Sequence, residues 1–208
     1  MKKAVIWDLD GTLFDSYGVI VESLYLALQE NGVELPLQEI HSHAIHFSIQ
    51  SLLAKVEETY GASAAQIQQR YSLISAGKYL DIKAMNHAME VLNALEEQGI
   101  RSYVYTHRGK TTIPVLENLN MTGFFQDIIT SQSGLRRKPD PEGITYFINK
   151  YDLDPAQTYY VGDRALDMDC AKNAGIAGIL FLPEGSMDVS GGSETYIVRD
   201  LLEILEII

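Results

Sequence analysis

The sequence predicts an α/β fold in which a mostly parallel sheet is flanked by helices and an α-helical domain is inserted after the first strand. Short apolar runs typical of buried strands alternate with segments of helical period, as in βαβ units. Residues 15–82 break this alternation and show helical patterns without a convincing strand. A chain of 208 residues suits one core domain with a modest insertion.

Five runs predict the strands of the sheet. Each is short and apolar, which is the pattern of a strand buried on both faces of a parallel sheet. These runs are residues 4–7, 102–105, 127–130, 158–161 and 178–182.

Segments of helical period lie between the strands. Two of them place three apolar residues on one face and end at a glycine, a common C-terminal signal of helices. They are Met89, Leu92 and Leu95 before Gly99, and Ile113, Leu116 and Leu119 before Gly123. Pro141 is expected to open another helix, and Asp154 with Pro155 resembles an N-cap followed by a first-turn proline, which predicts one more.

The predicted insertion covers residues 15–82, and the core domain then consists of residues 1–14 and 83–208. Three helices are expected within the insertion. The first ends at Asn31, the second ends near Gly61, and the third begins at a capping box headed by Ser63. Because insertions of this kind often form lids over sites at the carboxyl ends of parallel strands, we expect a cap domain.

Composition excludes several classes of partner. The 28 acidic residues outnumber the 16 Lys and Arg, and the formal net charge is −12. An acidic surface repels nucleic acid and anionic membranes, so neither is an expected partner. The single cysteine, Cys170, rules out an intrachain disulfide and favours the cytoplasm. No secretory signal or membrane span is expected. Monomer and homodimer stay equally open.

Polar motifs follow the strands at their carboxyl ends, where parallel sheets bind ligands. They are Asp-x-Asp-Gly-Thr at 8–12, Thr-His-Arg-Gly at 106–109, Lys-Pro-Asp-Pro at 138–141 and Gly-Asp-x-x-x-Asp at 162–167. Four aspartates would therefore meet at one edge of the sheet, together with a threonine and a lysine. Uncompensated carboxylates raise each other's pKa, and a hard cation such as Mg²⁺ would relieve the repulsion.

In this order and on these elements, the motifs resemble those of the haloacid dehalogenase-like superfamily, in its branch of phosphoglycolate phosphatases and β-phosphoglucomutases. The resemblance extends from Asp8 to Asp167, and the insertion falls where the family has its first type of cap domain. It implies a Rossmann-like core and Mg²⁺ as cofactor. It also implies that a small phosphorylated metabolite is hydrolysed through an aspartyl-phosphate.

The resemblance further implies catalytic roles. Asp8 would attack phosphorus, and Asp10 would protonate the leaving alcohol and later activate water. Lys138 would neutralise phosphoryl charge, and Thr106 would hydrogen-bond a phosphoryl oxygen. Gly11 would let the chain turn so that backbone N–H groups face the phosphate.

A metal site is implied in the same way. Mg²⁺ would be held by the Asp8 carboxylate, the Asp10 backbone carbonyl and Asp163, while Asp167 would bind through water or orient the others. Asp10 also indicates the reaction type, because dehalogenases and phosphonate hydrolases of the superfamily lack a carboxylate at the matching position. The residue therefore favours phosphoryl transfer.

One motif departs from the family. Relatives usually have Asn after the strand-end Ser or Thr, whereas this chain has His107 followed by Arg108. Both are candidates for binding the substrate phosphate, with Arg108 adding positive charge. Within the insertion, His41, His43 and His46 are expected to be surface residues rather than a metal cluster. Residues 43–48 fall where such caps often place a specificity loop.

Alternative functions use the same residues. A phosphomutase of the β-phosphoglucomutase type would share the core, and we favour a phosphatase because no second sugar-phosphate clamp is evident. A response-regulator receiver also clusters Asp, Thr and Lys, but it places the acceptor after a later strand and has no large insertion. A binding protein derived from such an enzyme would be expected to lose catalytic residues, which this chain keeps.

Overall fold

The structure, a computed structural model, describes residues 2–187 and 189–208 and divides into two compact units. The first unit extends to Asp15 and resumes at Ala84, and the second comprises Ser16–Lys83. Among the described residues, no helix has the length and apolar character needed to cross a membrane.

Six strands of the first unit form one parallel sheet in the order β5-β4-β1-β6-β7-β8. The remaining two strands, β2 and β3, are two residues long and form a small separate sheet. The strands are β1 (Lys2–Trp7), β2 (Phe14–Asp15), β3 (Lys83–Ala84), β4 (Arg101–Tyr105), β5 (Phe125–Ile129), β6 (Leu153–Gly162), β7 (Ala177–Phe181) and β8 (Tyr196–Val198).

Helices cover the sheet and build the second unit. Those of the second unit are α1 (Tyr17–Glu30), α2 (Leu37–His46), α3 (Ile49–Tyr60) and α4 (Ala64–Gly77). Those of the first unit are α5 (Ala88–Glu97), α6 (Thr112–Asn118), α7 (Glu142–Tyr151), α8 (Ala165–Asn173) and α9 (Ile204–Ile207). The predicted α/β fold with a parallel, Rossmann-like sheet is confirmed.

The central strand β1 explains why the sheet forms where the apolar runs predicted. Its residues from Ala4 to Trp7 are fully buried, as expected for a strand covered by helices on both faces. Trp7 lies opposite Val104 of β4 and Val161 of β6. Because all three strands are parallel and in register, the residues that follow them emerge at the same edge of the sheet.

Two predictions around the sheet are wrong. Asp154 and Pro155 lie within β6 rather than at the start of a helix. The Asp154 side chain accepts a hydrogen bond from the Ala156 N–H at 3.1 Å, which makes a local turn without helical continuation. Strand β8 was missed because Tyr196 and Ile197 are exposed and lack the pattern of a buried strand.

Helix α6 is present, and its predicted face is correct at Leu116, which is buried, but wrong at Ile113. Ile113 is exposed, whereas Thr112 and Val115 are buried. The Thr112 hydroxyl donates to the Gly109 carbonyl oxygen at 2.8 Å. This hydrogen bond lets a polar side chain be buried at a position that the apolar pattern predicted to be exposed.

The second unit contains four helices rather than the three expected from the sequence. The additional helix, α2, carries His41, His43 and His46 and buries Ile40. The sequence did not predict this helix because most of its residues are polar and only Ile40, Ala44 and Ile45 are buried. Ser63 caps α4 as predicted, because its side chain accepts from the Gln66 N–H at 3.4 Å.

Packing beneath the sheet leads to a stability prediction. Phe147 on α7 is fully buried, with ring centroids 5.0 Å from Tyr103 and 6.5 Å from Tyr151. We expect Phe147→Ala to lower the free energy of unfolding by about 3–5 kcal/mol, because it leaves a cavity in a close-packed core. The neighbouring Tyr146 is partly exposed, and Tyr146→Ala should cost only about 1 kcal/mol. Equal losses in urea denaturation would contradict this assignment.

Candidate active site

The carboxyl ends of β1, β4 and β6 bring three motif residues to one edge of the sheet. Asp8, Thr106 and Asp163 follow these strands directly, and all three are buried. The Asp8 N–H donates to the Val161 carbonyl oxygen at 2.9 Å, so sheet pairing continues up to the first aspartate. Strand register therefore determines the position of each group.

The turn after β1 is tight and depends on a glycine. Gly11 has a φ of 81°, a left-handed conformation that residues with a Cβ adopt at a cost. The N–H groups of Thr12 and Phe14 both donate to the Leu9 carbonyl oxygen, at 3.0 and 2.8 Å. The Thr12 hydroxyl lies 3.4 Å from Asp163 Oδ1, so this turn also contacts the motif that follows β6.

Lys138 is the buried cation of the site. Its Nζ lies 2.9 Å from Asp8 Oδ1 and 2.7 Å from Asp167 Oδ1, and its side chain is inaccessible to solvent. Burial lowers the pKa of Lys138, but the carboxylates of Asp167 and Asp8 outweigh burial and raise it above the ordinary value. The ammonium group therefore stays charged inside the protein.

Two tyrosine rings flank the lysine, and the sequence did not single them out. Lys138 Nζ is 5.3 Å from the ring centroid of Tyr105 and 5.2 Å from that of Tyr160. The Tyr160 hydroxyl donates to the Tyr105 carbonyl oxygen at 2.9 Å and lies 3.2 Å from Asp167 Oδ1. Only their places could have indicated this role, because Tyr105 directly precedes the motif after β4 and Tyr160 lies two residues before the motif at 162–167.

Asp167 combines two functions at the start of α8. Its Oδ2 accepts from the Arg164 N–H at 3.2 Å, which caps the helix, while its Oδ1 contacts Lys138. Burial raises the pKa of Asp167, but the Lys138 ammonium group outweighs burial and holds the pKa below its usual value. The carboxylate is therefore ionised in the core of the site.

Three aspartates form a group suited to a divalent metal ion. Carboxylate oxygens of Asp8, Asp163 and Asp167 all lie within 4.8 Å of one another, and all three residues are buried. Burial raises the pKa of Asp8 despite the nearby Lys138, which shows how strongly this crowded set disfavours its own charge. A hard cation would favour the ionised oxygens, so the donor set fits such an ion.

The carboxylate of Asp10 lies outside this cluster and pairs with Arg108. Arg108 Nη2 is 2.6 Å from Asp10 Oδ1, and the Asp10 side chain is 23% exposed. The hydroxyl of Thr106 accepts from the Arg108 backbone N–H at 3.1 Å. Two of the site residues predicted after β4, Thr106 and Arg108, therefore contact each other.

His107 has a backbone partner. Its Nε2 accepts from the Lys138 N–H at 3.0 Å, so the ring ties the loop after β4 to the loop that carries the lysine. Burial, followed by the charges of Lys138 and Arg137, lowers the pKa of His107 to about 3. The ring is therefore a neutral acceptor, and its predicted contact with phosphate stays a prediction.

The remaining candidate residues have hydrogen-bond partners of their own. His43 Nε2 is 2.9 Å from Ser51 Oγ and His46 Nδ1 is 2.9 Å from the Ser42 carbonyl oxygen, both within the second unit. Cys170 is buried, and its Sγ lies 3.3 Å from the Asp140 carbonyl oxygen. Burial raises the pKa of this thiol to about 12, so it is no nucleophile at neutral pH.

Fold and site together define a protein with a parallel α/β fold and a buried aspartate and lysine cluster at the carboxyl edge of its sheet. Residues 5–181 match the model of the haloacid dehalogenase-like hydrolases, and the chain belongs to this family. The resemblance drawn from the four motifs is thereby confirmed.

Similar proteins are phosphatases by name. A phosphoglycolate phosphatase of Nitrosospira multiformis is 29% identical over 182 residues, which cover 83% of this chain and 80% of that protein. The pyrophosphatase PpaX of Bacillus velezensis is 25% identical over 214 residues, covering 98% and 95%. The crystal structure of a predicted phosphoglycolate phosphatase from Haemophilus somnus has a TM-score of 0.85 at 22% identity, covering 99% and 97%. The chain is a phosphoric monoester hydrolase of this family.

Close packing behind Asp167 yields a prediction. A Cβ on Gly162 would overlap the Cβ and Cγ atoms of Asp167. We expect Gly162→Ala to displace this carboxylate and to weaken the binding of a divalent metal ion, with Mg²⁺ as the ion tested, at least roughly tenfold in calorimetric titration. Gly18→Ala is the matched control, because a Cβ there meets no atom within 4 Å. Unchanged Mg²⁺ affinity in Gly162→Ala would contradict the prediction.

The neutral state of His107 predicts a pH dependence of stability. Its pKa is about 3 in the folded protein against an ordinary value of 6.5, so the unfolded state binds more protons between these values. Stability should therefore fall as the pH is lowered below about 6.5. His107→Gln lacks this contribution and should show a shallower fall between pH 7 and pH 5 in urea denaturation. Identical slopes for both proteins would exclude a buried neutral histidine.

Proposed function

We propose that this chain hydrolyses a small phosphorylated metabolite through an aspartyl-phosphate on Asp8, with Mg²⁺ as cofactor. The observation that carries the proposal is the buried ion pair between Asp8 and Lys138 at the carboxyl end of β1. It combines a nucleophile of fixed position with a permanent positive charge beside it. Both are needed to transfer a dianionic phosphoryl group.

In the first half of the reaction, a carboxylate oxygen of Asp8 forms a bond to phosphorus while the ester P–O bond breaks. The leaving oxygen takes the electron pair of that bond and a proton from Asp10. Lys138 offsets the charge on the phosphoryl oxygens. Thr106, which directly follows β4 and is buried, donates its hydroxyl to one of those oxygens.

In the second half, Asp10 accepts a proton from water, and the water oxygen attacks phosphorus. The bond between phosphorus and Asp8 breaks, so that inorganic phosphate leaves and the carboxylate is restored. Asp10 thus begins and ends the cycle in the same state. Its greater exposure than Asp8 suits a group that must meet both a leaving group and water.

The proposed Mg²⁺ ligands are Asp8, Asp163, the backbone carbonyl of Asp10 and Asp167. When bound, the ion would neutralise charge that develops on the phosphoryl oxygens. Asp163 contributes from the end of β6 and Asp167 from the first turn of α8, so two adjacent elements orient these donors. Lys138 holds the carboxylates of Asp8 and Asp167 in place through its two ion pairs.

The names of the relatives suggest which substrates to test first. Similar proteins are called phosphoglycolate phosphatase and pyrophosphatase, and both substrates are small anions. We propose that the second unit, residues 16–83, is the cap domain and that its residues select the substrate. The cytoplasmic location favoured by the single cysteine stays a prediction.

Phosphate release provides the decisive experiment. The wild-type protein should release phosphate from p-nitrophenyl phosphate, 2-phosphoglycolate or pyrophosphate only when Mg²⁺ is present, and chelation should abolish the activity. Asp8→Asn should lower kcat at least roughly 10³-fold, because the covalent route is lost.

Asp169→Asn is the matched control, since Asp169 is exposed on α8 and the same charge is removed away from the site. An Asp8→Asn protein with normal activity would rule out the covalent mechanism. Transfer between positions of a sugar phosphate without net release of phosphate would instead identify a phosphomutase.

A further inference from the structure

Arg108 contacts Asp10, whose carboxylate does not belong to the cluster of Asp8, Asp163 and Asp167. We propose that Arg108 is a positioning residue that holds the Asp10 carboxylate in the orientation needed for proton transfer, and that it is not a phosphate ligand. The proposal rests on the proposed function, in which Asp10 exchanges the proton with the leaving group and with water.

The contact is made by the plane of the guanidinium group. Arg108 Nε lies 3.0 Å from Asp10 Oδ1 and 3.2 Å from Oδ2, and Nη2 lies 2.6 Å from Oδ1. Both carboxylate oxygens therefore accept from Arg108, and Oδ2, with one contact at 3.2 Å, keeps a lone pair that can carry the exchanged proton. A planar group that contacts both oxygens restricts rotation of the carboxylate, which a point charge such as a lysine ammonium would not do.

Arg108 is itself held in place by groups other than Asp10. Its Nη1 donates to Thr111 Oγ1 at 2.8 Å, and its guanidinium carbon is 5.8 Å from the ring centroid of Phe14. The side chain is only 10% exposed. All three guanidinium nitrogens thus donate to protein acceptors, an arrangement that fits a fixed support better than a residue awaiting an anion.

Asp10 has more need of such support than the other aspartates. Asp8 and Asp167 are immobilised by burial and by Lys138, whereas the Asp10 side chain keeps about a quarter of its surface exposed. Proton transfer requires a heavy-atom distance of about 3 Å, and a displacement of about 1 Å can cost roughly 100-fold in rate. A carboxylate on a turn needs a partner to meet that requirement.

Steady-state kinetics on the intact chain distinguish positioning from phosphate binding. With p-nitrophenyl phosphate and Mg²⁺, we expect Arg108→Gln to lower kcat about 10–100-fold and to leave KM within about threefold. Arg108→Lys should not restore kcat, because it lacks the planar contact. Lys110→Gln removes an exposed positive charge on the same loop and should leave both constants unchanged. A large rise in KM at unchanged kcat would show that Arg108 binds phosphate and would overturn the proposal.

A double-mutant cycle tests whether Arg108 acts through Asp10. In an Asp10→Asn background, Arg108→Gln should cause no further loss of kcat, because the group that it positions has been replaced. Additive losses would show an independent effect of Arg108 and would overturn the proposal. Circular dichroism at the assay temperature ensures that only folded variants are compared.

The leaving group supplies a readout that a general structural defect would not change. An alkoxide needs a proton from Asp10 far more than p-nitrophenolate does. Arg108→Gln should therefore lower kcat/KM more for the alkyl phosphate that wild type hydrolyses fastest than for p-nitrophenyl phosphate. Equal losses would count against positioning. If the wild type releases no phosphate from any substrate, the proposed function itself is wrong. If the wild type is active but the Arg108 variants do not behave as expected, only the proposed role of Arg108 is wrong.

Discussion

The buried ion pairs of Lys138 with Asp8 and Asp167 are the constraint on which the site depends. Removing these charges from water is costly, so each must find partners with good geometry inside the protein. The register of β1 and β6 supplies the aspartate positions, and the loop before α7 supplies the lysine. The rings of Tyr105 and Tyr160 close the space around the ammonium group. A change in any of these elements would leave a buried charge without compensation.

The acidic residues of the site fall into two environments. Asp8, Asp163 and Asp167 are buried, and their carboxylate oxygens lie within 4.8 Å of one another, close enough to bind one metal ion. Asp10 follows Asp8 by two residues, yet its side chain is partly exposed and faces Arg108. In the proposed mechanism, this short motif supplies one carboxylate that bonds to phosphorus and a second that transfers protons, and the two have different partners.

The overall charge of the protein and the charges at the site act over different distances. The net charge of −12 would repel a phosphorylated substrate at long range, but solvent and salt screen such surface charges. Inside the site, the Lys138 ammonium acts at close distance and is excluded from water. His107 adds no charge there, because its ring is neutral and bonded to the Lys138 backbone. Of Lys138 and His107, only Lys138 therefore contributes positive charge next to Asp8.

The sequence by itself determined the parallel sheet, the inserted helices and the four motifs, because hydrophobic period and strand-end chemistry are local properties. It failed where a local pattern competes with tertiary context. Asp154 mimics a helix cap but lies in β6, and the exposed strand β8 has no apolar signature. The partners of His107 and Arg108 lie 31 and 98 residues away in the chain. Only the tertiary structure decided those contacts, because side-chain orientation at a strand end depends on which loops pack beside it.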